Sequence, residues 1–156
     1  NCASSREAAP KFLEKLGRAL GCEWGTFWEV DPVAHLLRPI GTWNASAVEA
    51  KQLEQDTRDR NLSLSEGNAG HVWRGQRPLW TVDLLKDMCI PRSLGAESAG
   101  LRGGIWFALK TDQAVYGVIE LLGVNLVPAE DELVTGIEVF GMQLGKILEK
   151  KASRGP

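Results

Sequence analysis

The chain has 156 residues, 44% of them hydrophobic and 24% charged, with a formal net charge of -2. A chain of this length fits one domain that buries roughly two thirds of its unfolded surface, so a core needs no metal or disulfide staple. The basic residues are scattered apart from Lys150, Lys151 and Arg154, which excludes a nucleic-acid face, and no apolar run approaches the roughly 20 residues of a membrane-spanning helix.

The three cysteines, Cys2, Cys22 and Cys89, are odd in number and lack paired spacing, which predicts a reducing, cytoplasmic setting rather than a disulfide framework. With no signal peptide and no initiating Met, the chain reads as a piece of a longer protein. Along the chain, Ala9, Phe12, Leu13, Leu16 and Leu20 recur at helical spacing and predict a helix over 5–20, ended by Gly21. Residues 23–30 and 36–43 are aromatic and β-branched and predict a hairpin turning at Asp31-Pro32. Pro39 lacks a ladder donor, so the second of these strands should lie at an edge or carry a bulge. A surface helix is expected from Ser46 to about Arg60, with Ser46 as N-cap and Glu49 in the capping-box position. A short helix over 68–75, a short strand over 79–82 and an irregular segment over 83–100 follow. Residues 104–110 and 115–124 form a second hairpin, apolar on both faces and therefore covered on both sides.

The last helix follows Pro128, with Asp131 and Glu132 in its first turn and Lys146, Lys150 and Lys151 in its last, as the helix dipole favours. Leu133, Ile137, Phe140, Leu144 and Ile147 make one heptad seam, and Val134, Gly141 and Leu148 a second. Two arrangements fit: one stripe in the core with the other against a partner helix, or a single broad core-facing stripe. The order of elements predicts an α+β domain with an antiparallel sheet and the terminal helices packed together on one face.

Over roughly residues 6–150 the sequence resembles a GAF domain. Residues 20–31 and 37–43 are similar to the first two strands of GAF domains in bacterial signalling proteins. Gly67-Asn-Ala-Gly70-His-Val-Trp73, with Arg77-Pro-Leu-Trp80 and Asp83, is similar to the family's glycine-led helix, third strand and aspartate. Gly100-Leu-Arg-Gly, Tyr116-Gly-Val-Ile-Glu-Leu and Glu130-Asp-Glu-Leu resemble the later hairpin and the opening of the last helix. The resemblance implies a GAF/PAS-like fold over 6–150, with residues 1–5 and 151–156 as flexible termini and a lid of short helices, roughly 62–100, on the face opposite the terminal helices. It also implies a regulatory sensor, homodimeric through its terminal helices, that binds a small molecule and controls an absent output domain such as the histidine kinase of a two-component system. A ligand-free interaction module is the alternative.

The residues argue against catalysis. His35 falls in a hairpin turn and His71 on a short helix, and neither has a nucleophile at recognisable spacing. No Cys-x-x-Cys or His-Glu-x-x-His metal pattern occurs. Asp87-Met88-Cys89-Ile90 resembles the Asp-x-Cys-Phe motif of some bilin-binding GAF domains. The main attachment cysteine beside a histidine has no counterpart over 92–100, which argues against a covalent bilin and leaves no cofactor assigned. The phosphodiesterase-type nucleotide signature is missing, and a free methionine sulfoxide reductase would need more cysteines near the pocket. The candidate ligand-binding set is Trp28, Trp43, Trp73, Trp80 and Trp106, which could stack a planar ligand or simply pack the core, with Asp83, Cys89 and Arg92. Glu120 interrupts an apolar strand, and Arg102 or Arg38 is its expected partner.

Overall fold

The computed structural model describes residues 2–46, 48–64, 66–84, 86 and 93–153. The elements run α1 (Cys2–Ala19), β1 (Trp24–Asp31), β2 (Leu36–Asn44), α2 (Lys51–Arg58), α3 (Gly67–Gly75), β3 (Leu79–Thr81), α4 (Ser93–Ser98), β4 (Gly103–Lys110), β5 (Val115–Gly123) and α5 (Asp131–Ser153). Among the described residues five strands form one antiparallel sheet in the order β2-β1-β5-β4-β3. This is the expected α+β architecture.

Gly21 ends α1 as its position predicts. It sits at φ 75° while Cys22 N–H reaches back to Gly17 O at 2.7 Å and Gly21 N–H to Arg18 O, which answers carbonyls the helix end would otherwise leave bare. Pro39 lies on the edge strand β2, beside a bulge where Gly41 and Pro39 face the consecutive residues Phe27 and Trp28. Residue 37 of the same edge pairs with Leu62, exchanging both backbone hydrogen bonds. The turn between β1 and β2 is held by Asp31, whose carboxylate accepts Val33 N–H, Ala34 N–H and Arg38 Nε, each at 3.0 Å. The Ala34 amide first, then the Arg38 guanidinium, hold this carboxyl below its ordinary range.

The second helix departs from expectation. α2 begins at Lys51 behind Ala50, with no side-chain cap, so the Ser46–Glu49 capping box does not form. Val48 and Ala50 are buried in the core and draw this stretch onto the sheet as irregular chain, while Asn44 Nδ2 donates to the carbonyls of Ala45 and Val48. Burial of those apolar side chains overrides the local capping signal, and only Leu53 and Thr57 of α2 face inward.

Two cores lie on opposite faces of the sheet. One face carries Leu13, Cys22, Ile105, Phe107, Leu109, Ile119, Leu121 and Ile137, under α1 and α5. The two helices meet at the stacked rings of Phe12 and Phe140, 6.4 Å between centroids. Close approach here depends on missing side chains. A Cβ on Gly41 would fall 2.6 Å from Ala9 Cβ, and one on Gly141 or Gly145 would overlap the Ala108 or Lys110 carbonyl. Of the two α5 seams, Ile137 and Gly141 are buried and Phe140, Leu144 and Leu148 pack against the same core, whereas Leu133 and Ile147 are exposed, as are Val139 and Met142 outside the seams. The face of α5 turned to the sheet thus draws on both seams, and the ends of the first lie outside it.

Gly141→Val should destabilise the fold by roughly 2–3 kcal/mol, because β4 would have to retreat from α5. Gly136→Ala on the same helix, where an added Cβ meets nothing within 4 Å, should stabilise by up to about 1 kcal/mol. Chemical denaturation of the two variants checks the pair, and equal effects would contradict the packing described.

Candidate functional site

The other core lies under the short helices and is built from alternate residues of the central strands. Trp24, Thr26 and Trp28 of β1 share this face, since side chains along a strand alternate. Across β5 and β4 the register aligns Thr26, Glu120 and Trp106 in one row. Glu120 is 2% exposed and accepts Thr26 Oγ1–H at 2.9 Å and the Trp106 indole N–H at 2.8 Å. Thr26 Oγ1 in turn accepts the Trp24 indole N–H at 2.9 Å. Both of these hydrogen bonds come from neutral donors fixed on the flanking strands. Trp106 can lie back over residue 104 because Gly104 has no side chain there.

Of the two expected partners of Glu120, Arg38 is paired with Asp31 at 3.0 Å on the edge hairpin, and Arg102 is exposed just before β4. The row uses hydroxyl and indole donors that sit closer in the register. Above the row, α3 presses Gly67, Ala69, Gly70, Val72 and Trp73 inward, and the small residues let the helix axis come near β4 and β5. His71 faces out, its Nδ1 2.8 Å from the Gly67 carbonyl of its own helix.

The structure brings together only part of the expected ligand set. Trp28, Trp73 and Trp106 share this core with Trp24, and Trp24, Trp28 and Trp106 are fully buried. Trp43 and Trp80 pack on the opposite face, because their register places them with Gly25 and Ile105. Trp43 lies against Gly17 of α1 with the Arg18 guanidinium 5.7 Å from its ring, and Trp80 donates to Val127 O. Asp83 follows β3 on a cleft of about 410 Å³ formed with Val82, Leu84, Glu97, Gly100, Leu101 and Arg102. Its backbone N–H donates to Thr81 Oγ1, and Leu84 N–H donates to Arg102 O, so the cleft floor is tied to β4. Cys89 and Arg92 lie outside the described residues.

Trp24 and Thr26 were not among the expected site residues, although two-residue steps back from Trp28 reach both. Among the described residues no group of three or more His, Cys, Asp and Glu side chains is placed to hold a metal ion. The Cys22 thiol belongs to the helix-covered face, and burial first, then the Glu23 charge, pushes its pKa up from 9.0 to about 12.

Two outcomes follow from these buried groups. A raised thiol pKa contributes stability below the unfolded value and loses it as pH rises from 9.0 towards about 12. Cys22→Ala should therefore flatten the alkaline limb of the stability curve, and peptide mapping should find Cys22 unalkylated at pH 8 until denaturant is added. Glu120→Ala, which strands the donors of Thr26 and Trp106, should cost about 3 kcal/mol, and Glu120→Gln less. Equal midpoints for wild type and Glu120→Ala in urea would refute the row's role.

No family model matches the chain, and no curated protein matches it. Solved structures do. The GAF domain of a phosphoenolpyruvate-protein phosphotransferase from Coxiella burnetii superposes with a TM-score of 0.76 at 13% identity, covering 96% of this chain and 85% of that one. The corresponding domain from Acinetobacter gives 0.73 at 11% identity, with the same coverage. Free methionine-R-sulfoxide reductase from Neisseria meningitidis, solved with its substrate, gives 0.72 at 17% identity, covering 96% of this chain and 80% of that one. With its five-stranded sheet, paired terminal helices and roof of short helices, the chain has the GAF fold.

Proposed function

We propose that the chain is a non-catalytic regulatory sensory domain of a cytoplasmic signalling protein. It takes a small molecule at the cleft beside Asp83 and passes the state of its lid to an output module such as a histidine kinase. The observation that carries this reading is the cleft of about 410 Å³ that opens where the short helices meet the sheet, lined by both acidic and basic side chains. Homodimerisation through the terminal helices is part of the same reading. Leu133, Val139, Met142 and Ile147 support it as exposed apolar residues on α5, where water contact is unfavourable without a partner.

A second reading, a ligand-free interaction module, is favoured by the complete burial of Trp24, Trp28 and Trp106, whose indoles occupy the sheet face themselves. A reductase reading draws on the likeness to the Neisseria enzyme. The one thiol whose side chain is described, Cys22, lies on the far face and offers that chemistry no support.

Titration with nucleotides, haem, bilins, amino acids and methionine sulfoxide separates these readings. A ligand at 100 times its Kd should add about 2.7 kcal/mol and raise Tm by roughly 5–10 °C, with a change in tryptophan emission. No shift with any compound would favour the interaction module, and turnover of the sulfoxide would establish the reductase. Light scattering at tens of micromolar should give a dimer, and a strict monomer would remove the helical interface from the reading.

A further inference from the structure

We propose that Lys110 is a positioning residue that couples the lid helix α3 to the terminal helix α5 across the edge of the sheet. α3 and α5 cover opposite faces. Lys110 is the last residue of β4, placed at a register shift that follows Leu109. Its ammonium donates to the carbonyl of Gln76, the C-cap of α3, and lies 3.3 Å from Glu138 Oε2 on α5. Gln76 is left-handed, at φ 60°, and its N–H closes α3 on Val72 O at 2.7 Å, so the position of its carbonyl is fixed by the helix it ends.

The Lys110 side chain is only 15% exposed, an unusual state for lysine, which is kept from water only when its charge is answered. An ammonium has three donors and can serve a helix-end carbonyl and a carboxylate together. One ammonium therefore answers both helices. If α3 shifts and withdraws the Gln76 carbonyl, the ammonium must lean further on Glu138 or move towards water, and α5 feels either change. The backbone of Lys110 is equally bound to α5, because Gly145 sits against its carbonyl with no room for a side chain. Strand end, lid helix and terminal helix thus share one charged node.

The inference deepens the sensory reading and rests on it for its biological role, but the coupling itself needs no ligand. The experiment is hydrogen exchange on the whole 156-residue chain. Val72, 3% exposed in α3, is truncated to alanine to loosen the lid. In the otherwise wild-type chain, Val72→Ala should speed exchange over residues 131–145 by about threefold. In Lys110→Met or Glu138→Gln backgrounds that increment should fall below about 1.5-fold, while the increment within α3 persists. Lys146→Met, an exposed lysine of α5, should leave the threefold effect intact.

A merely structural staple would raise exchange everywhere and leave the increments additive. An unchanged increment in both backgrounds, or none at α5 in the first place, overturns the proposal. If Lys110→Met does not fold, Glu138→Gln decides, since it keeps the lysine and its bond to α3. Coupling found without any ligand response would sink the sensory reading and leave the relay standing, and the reverse result would do the opposite.

Discussion

A carboxylate inside an apolar sheet is stable only when its acceptor sites are met by donors already held in place, and Glu120 imposes that requirement on three strands at once. Thr26 and Trp106 must stand directly beside it on β1 and β4, so the row fixes the lateral register of the sheet's centre. A slip of one residue on either strand would turn that strand's donor to the opposite face and take one hydrogen bond from the carboxylate. The same requirement explains why indoles lie here. Trp24 and Trp106 each supply one N–H to the row and a broad apolar surface to the roof above it. Gly104 belongs to the same arrangement, since the Trp106 ring occupies the space a side chain would need.

The two faces are closed in different ways, and the difference bears on which of them can move. Beneath α5 the contact is backbone against backbone, made possible by Gly141 and Gly145 and extended over a helix of 23 residues. Thr111 and Tyr116 add hydrogen bonds from the β4–β5 hairpin to Glu149 near its end. The roof over the Glu120 row consists of helices of 8, 9 and 6 residues, too short to be stable without their packing. Such elements open at lower free energy than a long docked helix.

Much of the fold was legible in the sequence because its signals were local. Gly21 as a helix stop, Pro39 as an edge-strand marker and the continuous apolar runs of the second hairpin each needed only neighbouring residues to be read. The capping box at Ser46 was equally local and did not form, because Val48 and Ala50 found burial against residues distant in sequence. The site was less legible for the same reason. Trp43 and Trp80 look like Trp28 and Trp106 in composition, and only the strand register assigns them to opposite faces. The partners of Glu120 were sought among arginines, the usual answer to a buried charge. Thr26, 94 positions away, becomes a neighbour only once β1 and β5 pair.

The sheet's two outer strands carry a further consequence. An unpaired strand edge is a template on which another chain can add itself, and open sheets concentrated in a cell must be defended against that. Here β2 presents Pro39 and a bulge, and Leu62 already occupies part of its ladder, while β3 at the other end is three residues long. Among the described residues both outer strands thus carry a feature that interrupts a regular ladder or keeps it short. Growth of the sheet by strand addition is thereby disfavoured at both ends.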